Sequence, residues 1–148
     1  MINVAMGGKL YQDIPTEHPT EINHAVFETG ADPVHEISIE AGSLTAELLG
    51  TNKFAVNSKH HQGIKTLAPE LKITAWSSAD SIPEAIEGYP IRPIYGVQFH
   101  PELNAAKGDT CCLKLFKHLV NQATLFAQAK DIHSRIFSVD THCDTPMS

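Results

Sequence analysis

The stretch Gly96-Val97-Gln98-Phe99-His100-Pro101-Glu102 closes an apolar run, Ile94-Tyr95-Gly96-Val97, with an imidazole and a carboxylate two residues apart. Such a run reads as a strand, and on an extended chain residues i and i+2 project to one side, so Glu102 is within reach of the His100 ring. Pro101 between them pushes the residue before it toward the extended region. A histidine base with an orienting acid makes two members of a nucleophile–His–acid triad. The third member, a nucleophile, is not evident in this stretch. The plain alternative is a surface histidine beside a solvated glutamate at a strand end.

Outward from this point, the apolar periodicity alternates between strand and helix. His35-Glu36-Ile37-Ser38-Ile39-Glu40 alternates polar and apolar residues and predicts a half-buried strand. Ser43 is a capping residue for a short helix over Leu44 to Leu49. Further strands are expected at Lys53–Asn57, Leu71–Trp76, Pro83–Glu87 and Pro90–Phe99. Residues Asp13 to Pro33 lack periodicity and read as loop. Ile2 to Met6 reads as one helical turn stopped by Gly7-Gly8, with Asn3 and the two glycines serving helix termination. An isolated turn of that kind is marginal, so the chain reads as beginning inside an element. Cys111 to Ala129 is the clearest helix, and its stripe of Leu113, Phe116, Leu119, Val120 and Ala123 is expected to face the core. Ile136-Phe137-Ser138-Val139 is expected to start one more strand, and both ends of the chain read as cuts.

The chain has 148 residues, 42% of them hydrophobic and 19% charged, a composition of a soluble globular protein. A net charge of -6, with Lys and Arg scattered singly, argues against nucleic acid as a partner. No apolar run approaches the roughly 20 residues of a membrane span, and Met1-Ile2-Asn3-Val4 lacks the basic region of a secretory signal. The cysteines Cys111, Cys112 and Cys143 suggest no disulfide framework, so a cytoplasmic location is expected.

Taken in order, these segments resemble the class I glutamine amidotransferase-like family, and most closely its gamma-glutamyl-gamma-aminobutyrate hydrolase branch. Ile2-Asn3-Val4-Ala5-Met6-Gly7-Gly8, with Leu10-Tyr11-Gln12-Asp13, looks like the helix after the family's nucleophile and the loop leaving it. Val34-His35-Glu36-Ile37 looks like the next strand, and Val56-Asn57-Ser58-Lys59-His60-His61-Gln62 is similar to a segment bordering the substrate pocket. Gly96 to Glu102 matches the family's His/Glu signature. The resemblance covers residues 1–128 and implies an α/β fold: the C-terminal part of a flavodoxin-like three-layer domain with a mixed sheet. The family's cysteine sits at a strand-to-helix turn before the segment matched by Ile2, so the nucleophile half is expected to be absent. Residues 129–148 read as a linker and the first strand of another domain. Within them, Asp140-Thr141-His142-Cys143-Asp144-Thr145-Pro146 resembles the opening of the membrane-dipeptidase family of zinc hydrolases.

The first resemblance implies hydrolysis of a gamma-glutamyl amide, with a thiolate attacking the gamma-carbonyl, His100 shuttling the proton and Glu102 holding its tautomer. The substrate would be a small gamma-glutamyl compound, and this half needs no cofactor. His60, His61 and Gln62 are candidates for substrate contact or pocket rim, against a polar loop that simply ends a strand. His35 reads as a structural sheet residue. Cys111 and Cys112 begin a helix, where a thiol pKa can fall, but buried packing is the usual fate of cysteine. His142 and Asp144 would ligate zinc only if a dipeptidase-like domain continues. Three alternatives accompany the leading reading: a glutaminase supplying ammonia to a synthetase, a catalytically inactive fragment, and a zinc dipeptidase. An amphipathic helix and sheet missing half their cover would favour self-association through exposed apolar surface.

Overall fold

The computed structural model describes residues 1–28, 30–89 and 92–140, with backbone alone for residues 92 and 134–140. In chain order the elements are α1 (Ile2–Ala5), β1 (Lys9–Tyr11), α2 (Ile14–Glu17), β2 (His35–Ile39), α3 (Leu44–Leu49), β3 (Lys53–Val56), β4 (Gly63–Thr66), β5 (Leu71–Ser77), β6 (Pro83–Gly88), β7 (Arg92–Val97), α4 (Pro101–Ala106) and α5 (Thr110–Asp140). Two units divide the chain, Met1–Leu115 and Phe116–Ser148, and the first holds every strand among the described residues. No helix among the described residues is long and apolar enough to cross a membrane.

Five strands in the order β3-β2-β5-β6-β7 form one sheet, and β1 pairs with β4 in a two-stranded ribbon. The fold is α/β, as expected, and every pairing among the described strands is antiparallel. The alternation read in β2 sets its burial: His35, Ile37 and Ile39 are inside while Glu36 is exposed. Strand β6 is buried from Pro83 through Glu87, so both of its faces are covered. Its pairing with β5 slips twice, running Ile73↔Ile86, Ala75↔Ala85, Trp76↔Pro83. Thr74 and Glu84 are therefore the extra residues of two bulges, a device that re-aims a side chain out of the regular pleat.

Apolar residues on the two sides of the sheet build two clusters. Ile37, Ile39, Leu49, Val56, Ala75, Ala85, Phe99 and Leu115 make one, and Ala68, Leu71 and Ile86 with Ile2, Met6 and Ile64 make the other. Helix α3 forms as its cap predicts: Ser43 Oγ accepts from Ala46 N–H at 3.1 Å, and Gly50 closes the helix in the left-handed region. Glu87 of β6 ties this helix to the sheet by accepting from Thr45 N–H at 2.9 Å and Thr45 Oγ1 at 2.8 Å.

Four sequence expectations are corrected. The segment Asp13 to Pro33 contains α2, nucleated by Asp13 accepting from Thr16 N–H with a proline in the first turn. Asn3 does more than end a helix. It is 2% exposed and donates to Lys9 O and Thr66 O while accepting from Ala68 N–H at 2.8 Å, so one amide holds β1 and β4. Residues 136–139 are helical, the last turns of α5. A short apolar run with no pairing partner among the described residues satisfies its backbone groups locally as helix. The core-facing stripe of α5 is also displaced: Cys112 and Leu115 are buried, whereas Leu119 and Val120 are more than 60% exposed.

Candidate functional site

His100 Nδ1 donates to Glu102 Oε1 at 2.7 Å, the shortest histidine–carboxylate contact among the described residues. The pair meets by a route different from the expected extended one. His100 is the N-cap of α4, with Pro101 and Glu102 in the first turn of that helix. Proline fits the first helical position, where no N–H is needed, and it keeps the preceding histidine out of helical geometry. Both side chains are exposed, at 42% and 54%. Partial burial raises the Glu102 carboxyl, but the hydrogen bond and charge of His100 outweigh it and hold the group below the usual carboxylate range.

Sequence reasoning missed what fixes His100. Asn57, fully buried at the end of β3, donates to His100 O at 2.9 Å and accepts from His100 N–H at 2.9 Å. The same amide donates to Asn104 Oδ1 at 2.8 Å, on the inner side of α4. A single asparagine thus clamps the histidine backbone from both sides and leaves the ring free. The signal was an asparagine directly after an apolar strand, a position where an unpaired backbone group often needs a side-chain partner.

His60, His61 and Gln62 line a cavity of about 700 Å³ together with Lys59, Phe27 and Gln98. Neither His100 nor Glu102 is among the residues that line that cavity. The three residues play different parts. His61 is exposed, Gln62 Nε2 donates to Gln12 O at 3.2 Å, and His60 is buried with Nδ1 against Gln62 O at 2.9 Å.

Two residues of the cavity wall, His60 and Glu84, belong to a polar cluster that the sequence did not announce. Glu84, 1% exposed on its bulge, faces His35 Nε2 at 3.3 Å, His60 Nε2 at 3.5 Å and His24 Nδ1 at 3.8 Å. His24 Nε2 donates to Asp80 Oδ2 at 2.9 Å, and Thr20 Oγ1 donates to the same carboxylate. Burial would raise the Glu84 carboxyl, yet the adjacent His35 and His60 rings pull it below its ordinary range. Burial lowers His24, only partly offset by Asp80, whereas for His35 the nearby Glu84 overcomes burial and the net direction is upward. His35 is buried in the sheet, at the first position of β2, and belongs to this cluster rather than to the apolar core.

The cysteines do not gather at the site. Cys112 is fully buried, and burial with the neighbouring Asp109 charge pushes its thiol up to about 12. Cys111 packs against the core cluster. Cys143, with the expected metal ligands His142 and Asp144, lies outside the described residues.

Residues 1–102 match the family model described as Peptidase C26. The chain is similar to NtpR of Enterococcus hirae, 40% identical over 113 residues, covering 74% of this chain and 46% of that protein. It is 36% identical over 110 residues to gamma-glutamyl-gamma-aminobutyrate hydrolase PuuD of Escherichia coli K12, covering 70% of this chain and 42% of PuuD. The chain therefore spans about half the length of the curated relatives it matches. In fold it is similar to a Thermoplasma acidophilum protein described as a GMP synthase subunit, with a TM-score of 0.62 and 17% identity over 88% of this chain and 55% of that one. None of these matches supports a membrane-dipeptidase domain at the tail.

Proposed function

Because the chain belongs to the peptidase C26 family of class I glutamine amidotransferase-like proteins, we propose that it carries the acid–base half of a gamma-glutamyl amide hydrolase. The observation behind this reading is the 2.7 Å bond from His100 Nδ1 to Glu102 Oε1. A carboxylate accepts only, so the proton of that bond sits on Nδ1 and leaves Nε2 free to take a proton from a thiol. In the proposed reaction the thiolate attacks the gamma-carbonyl, the imidazolium protonates the leaving amine, and a glutamyl-thioester forms. His100 Nε2 then removes a proton from water, which displaces the thiolate and releases glutamate. Glu102 stabilises the imidazolium at each transfer. Neither Cys112, with its raised pKa, nor Cys111, packed on the core, suits the attack. The reading takes its thiolate from the family's strand-to-helix turn, which precedes the helix matched by Ile2–Ala5. The cavity edged by His61 and Gln62 is the proposed seat of the amino acid end of the substrate.

The test joins this chain to the N-terminal half of the PuuD domain and assays hydrolysis of gamma-glutamyl-gamma-aminobutyrate and of glutamine. The fusion is expected to turn over the gamma-glutamyl amide, with His100→Ala and Glu102→Gln each lowering kcat about 10²–10⁴-fold. A fusion as active with His100→Ala as without it refutes the assignment. Preferential release of ammonia from glutamine would move the chain to the ammonia-supplying class.

A further inference from the structure

We propose that His24, His35 and Glu84, with His60 beside them, form a binding site for a divalent transition-metal ion of the zinc type. The cluster is closed to solvent: His24, His35, His60 and Glu84 are 3%, 8%, 8% and 1% exposed. Its donor atoms are drawn from four separate stretches of chain: the segment after α2, the first residue of β2, the loop after β3, and the bulge of β6. One ligand atom each from His24, His35 and Glu84 lies within 4.8 Å of the other two.

Hydrogen-bond arithmetic supplies the first argument. Asp80 can only accept, so His24 carries its proton on Nε2. The carbonyl of Glu36, 3.4 Å from His35 Nδ1, and that of Gln62, 2.9 Å from His60 Nδ1, place the protons of those two rings on Nδ1. In the neutral tautomers so defined, His24 Nδ1, His35 Nε2 and His60 Nε2 all present lone pairs toward the Glu84 carboxylate, and the cation that fills the gap is either a proton on His35 Nε2 or a metal ion, which the titration below separates. The hydroxyl of Ser58, 3.0 Å from His24 Nδ1 and 3.2 Å from His60 Nε2, offers one proton to that whole set. His35 Nε2 and both Glu84 oxygens, all fully buried, make no hydrogen bond among the described residues. Buried acceptors that converge without donors call for a cation.

Geometry supplies the second. Ligand atoms about 2.0–2.1 Å from a tetrahedral zinc stand roughly 3.3–3.4 Å apart, and tetrahedral sites join imidazole nitrogens with carboxylate oxygens. The separations of 3.3, 3.5 and 3.8 Å from Glu84 Oε1 to the three imidazoles lie near that edge length. Each ring is also fixed from behind by an acceptor on its other nitrogen, Asp80 for His24 and backbone carbonyls for His35 and His60. That arrangement orients metal-bound histidines and raises their basicity. Calcium and magnesium, which prefer oxygen donors, do not suit a histidine-rich set. With His24, His35 and Glu84 drawn from three stretches of chain and Glu84 and His60 also lining the cavity, the ion would act as a structural clasp in the cavity wall, with His100 outside that lining.

The tag-free full chain, stripped with chelator, is titrated with Zn²⁺ and separately with Co²⁺, followed by metal analysis after gel filtration, the Co²⁺ visible spectrum and Tm. One ion per chain is expected, with the intense absorption of four-coordinate Co²⁺ and a Tm that rises with metal and falls again with chelator. Glu84→Gln and His35→Ala should abolish stoichiometric binding, and Asp80→Ala should weaken it about 10–100-fold. His118→Ala, a change in α5, should leave it intact. Should the buried variants fail to fold, the Co²⁺ spectrum of the unaltered chain decides by itself. A weak octahedral spectrum, less than one bound ion, or binding equal in Glu84→Gln overturns the proposal.

Discussion

Replacing Asn57 by alanine removes the clamp on His100 while leaving the His100 and Glu102 side chains chemically untouched. Three hydrogen bonds disappear: those to His100 O at 2.9 Å and Asn104 Oδ1 at 2.8 Å, and the one accepted from His100 N–H at 2.9 Å. Each contributes about 0.5–1.5 kcal/mol net, and a buried N–H left without an acceptor adds a penalty of its own, giving about 2–4 kcal/mol for Asn57→Ala. For a chain of this length that corresponds to a Tm lower by about 5–15 °C. Urea unfolding measures it, with a falling midpoint at constant m showing that stability alone has changed. Asn57→Asp sharpens the test. The new side chain still accepts from His100 N–H, but a carboxylate oxygen now opposes two acceptors, so its folded pKa must rise. A raised acid contributes its stability below the unfolded value and loses it as pH climbs, so relative to the unaltered chain this variant should fare best below about pH 4 and lose ground above it. A loss below about 0.5 kcal/mol for Asn57→Ala would refute the reasoning, since it would mean that water replaces the amide at no cost.

Two further predictions concern the scaffold. With Cys111 and Cys143 replaced by serine, the Cys112 thiol, pushed up to about 12, should react with a disulfide reagent at pH 8 about 10³-fold more slowly than a free thiol. It should become fully reactive in urea, and fast labelling of the folded chain would contradict its burial. Gly8→Ala should destabilise by about 1–3 kcal/mol, because the added carbon would fall 2.2 Å from the buried Asn3 amide that joins β1 to β4. A chemical melt indistinguishable from that of the original chain would show that Asn3 can move aside.

The apolar patterns were legible because each is a short-range property of the chain. Alternation over His35–Ile39 placed β2, Ser43 before an apolar run placed α3, and the Gly96–Glu102 segment pointed to the family through its residue order. Strands β1 and β4 were not legible, since their pairing with each other depends on Asn3 from another element. The helical end of α5 escaped for a related reason: β-branched residues favour a strand only where a partner strand exists. Of the candidate site residues, His60, His61 and Gln62 do share a cavity, but nothing in their order distinguishes the buried His60 from the exposed His61.

The sequence by itself determined the family, the α/β class and the pairing of His100 with Glu102, because adjacent residues around a proline have few ways to meet. Tertiary structure alone decided that Asn57 clamps His100 across 43 positions of chain. It also decided that a bulge in β6 turns Glu84 toward histidines 24, 49 and 60 positions before it. Contacts of that range depend on strand order and register, and a bulge reverses the face that alternation would assign, so no local pattern encodes them.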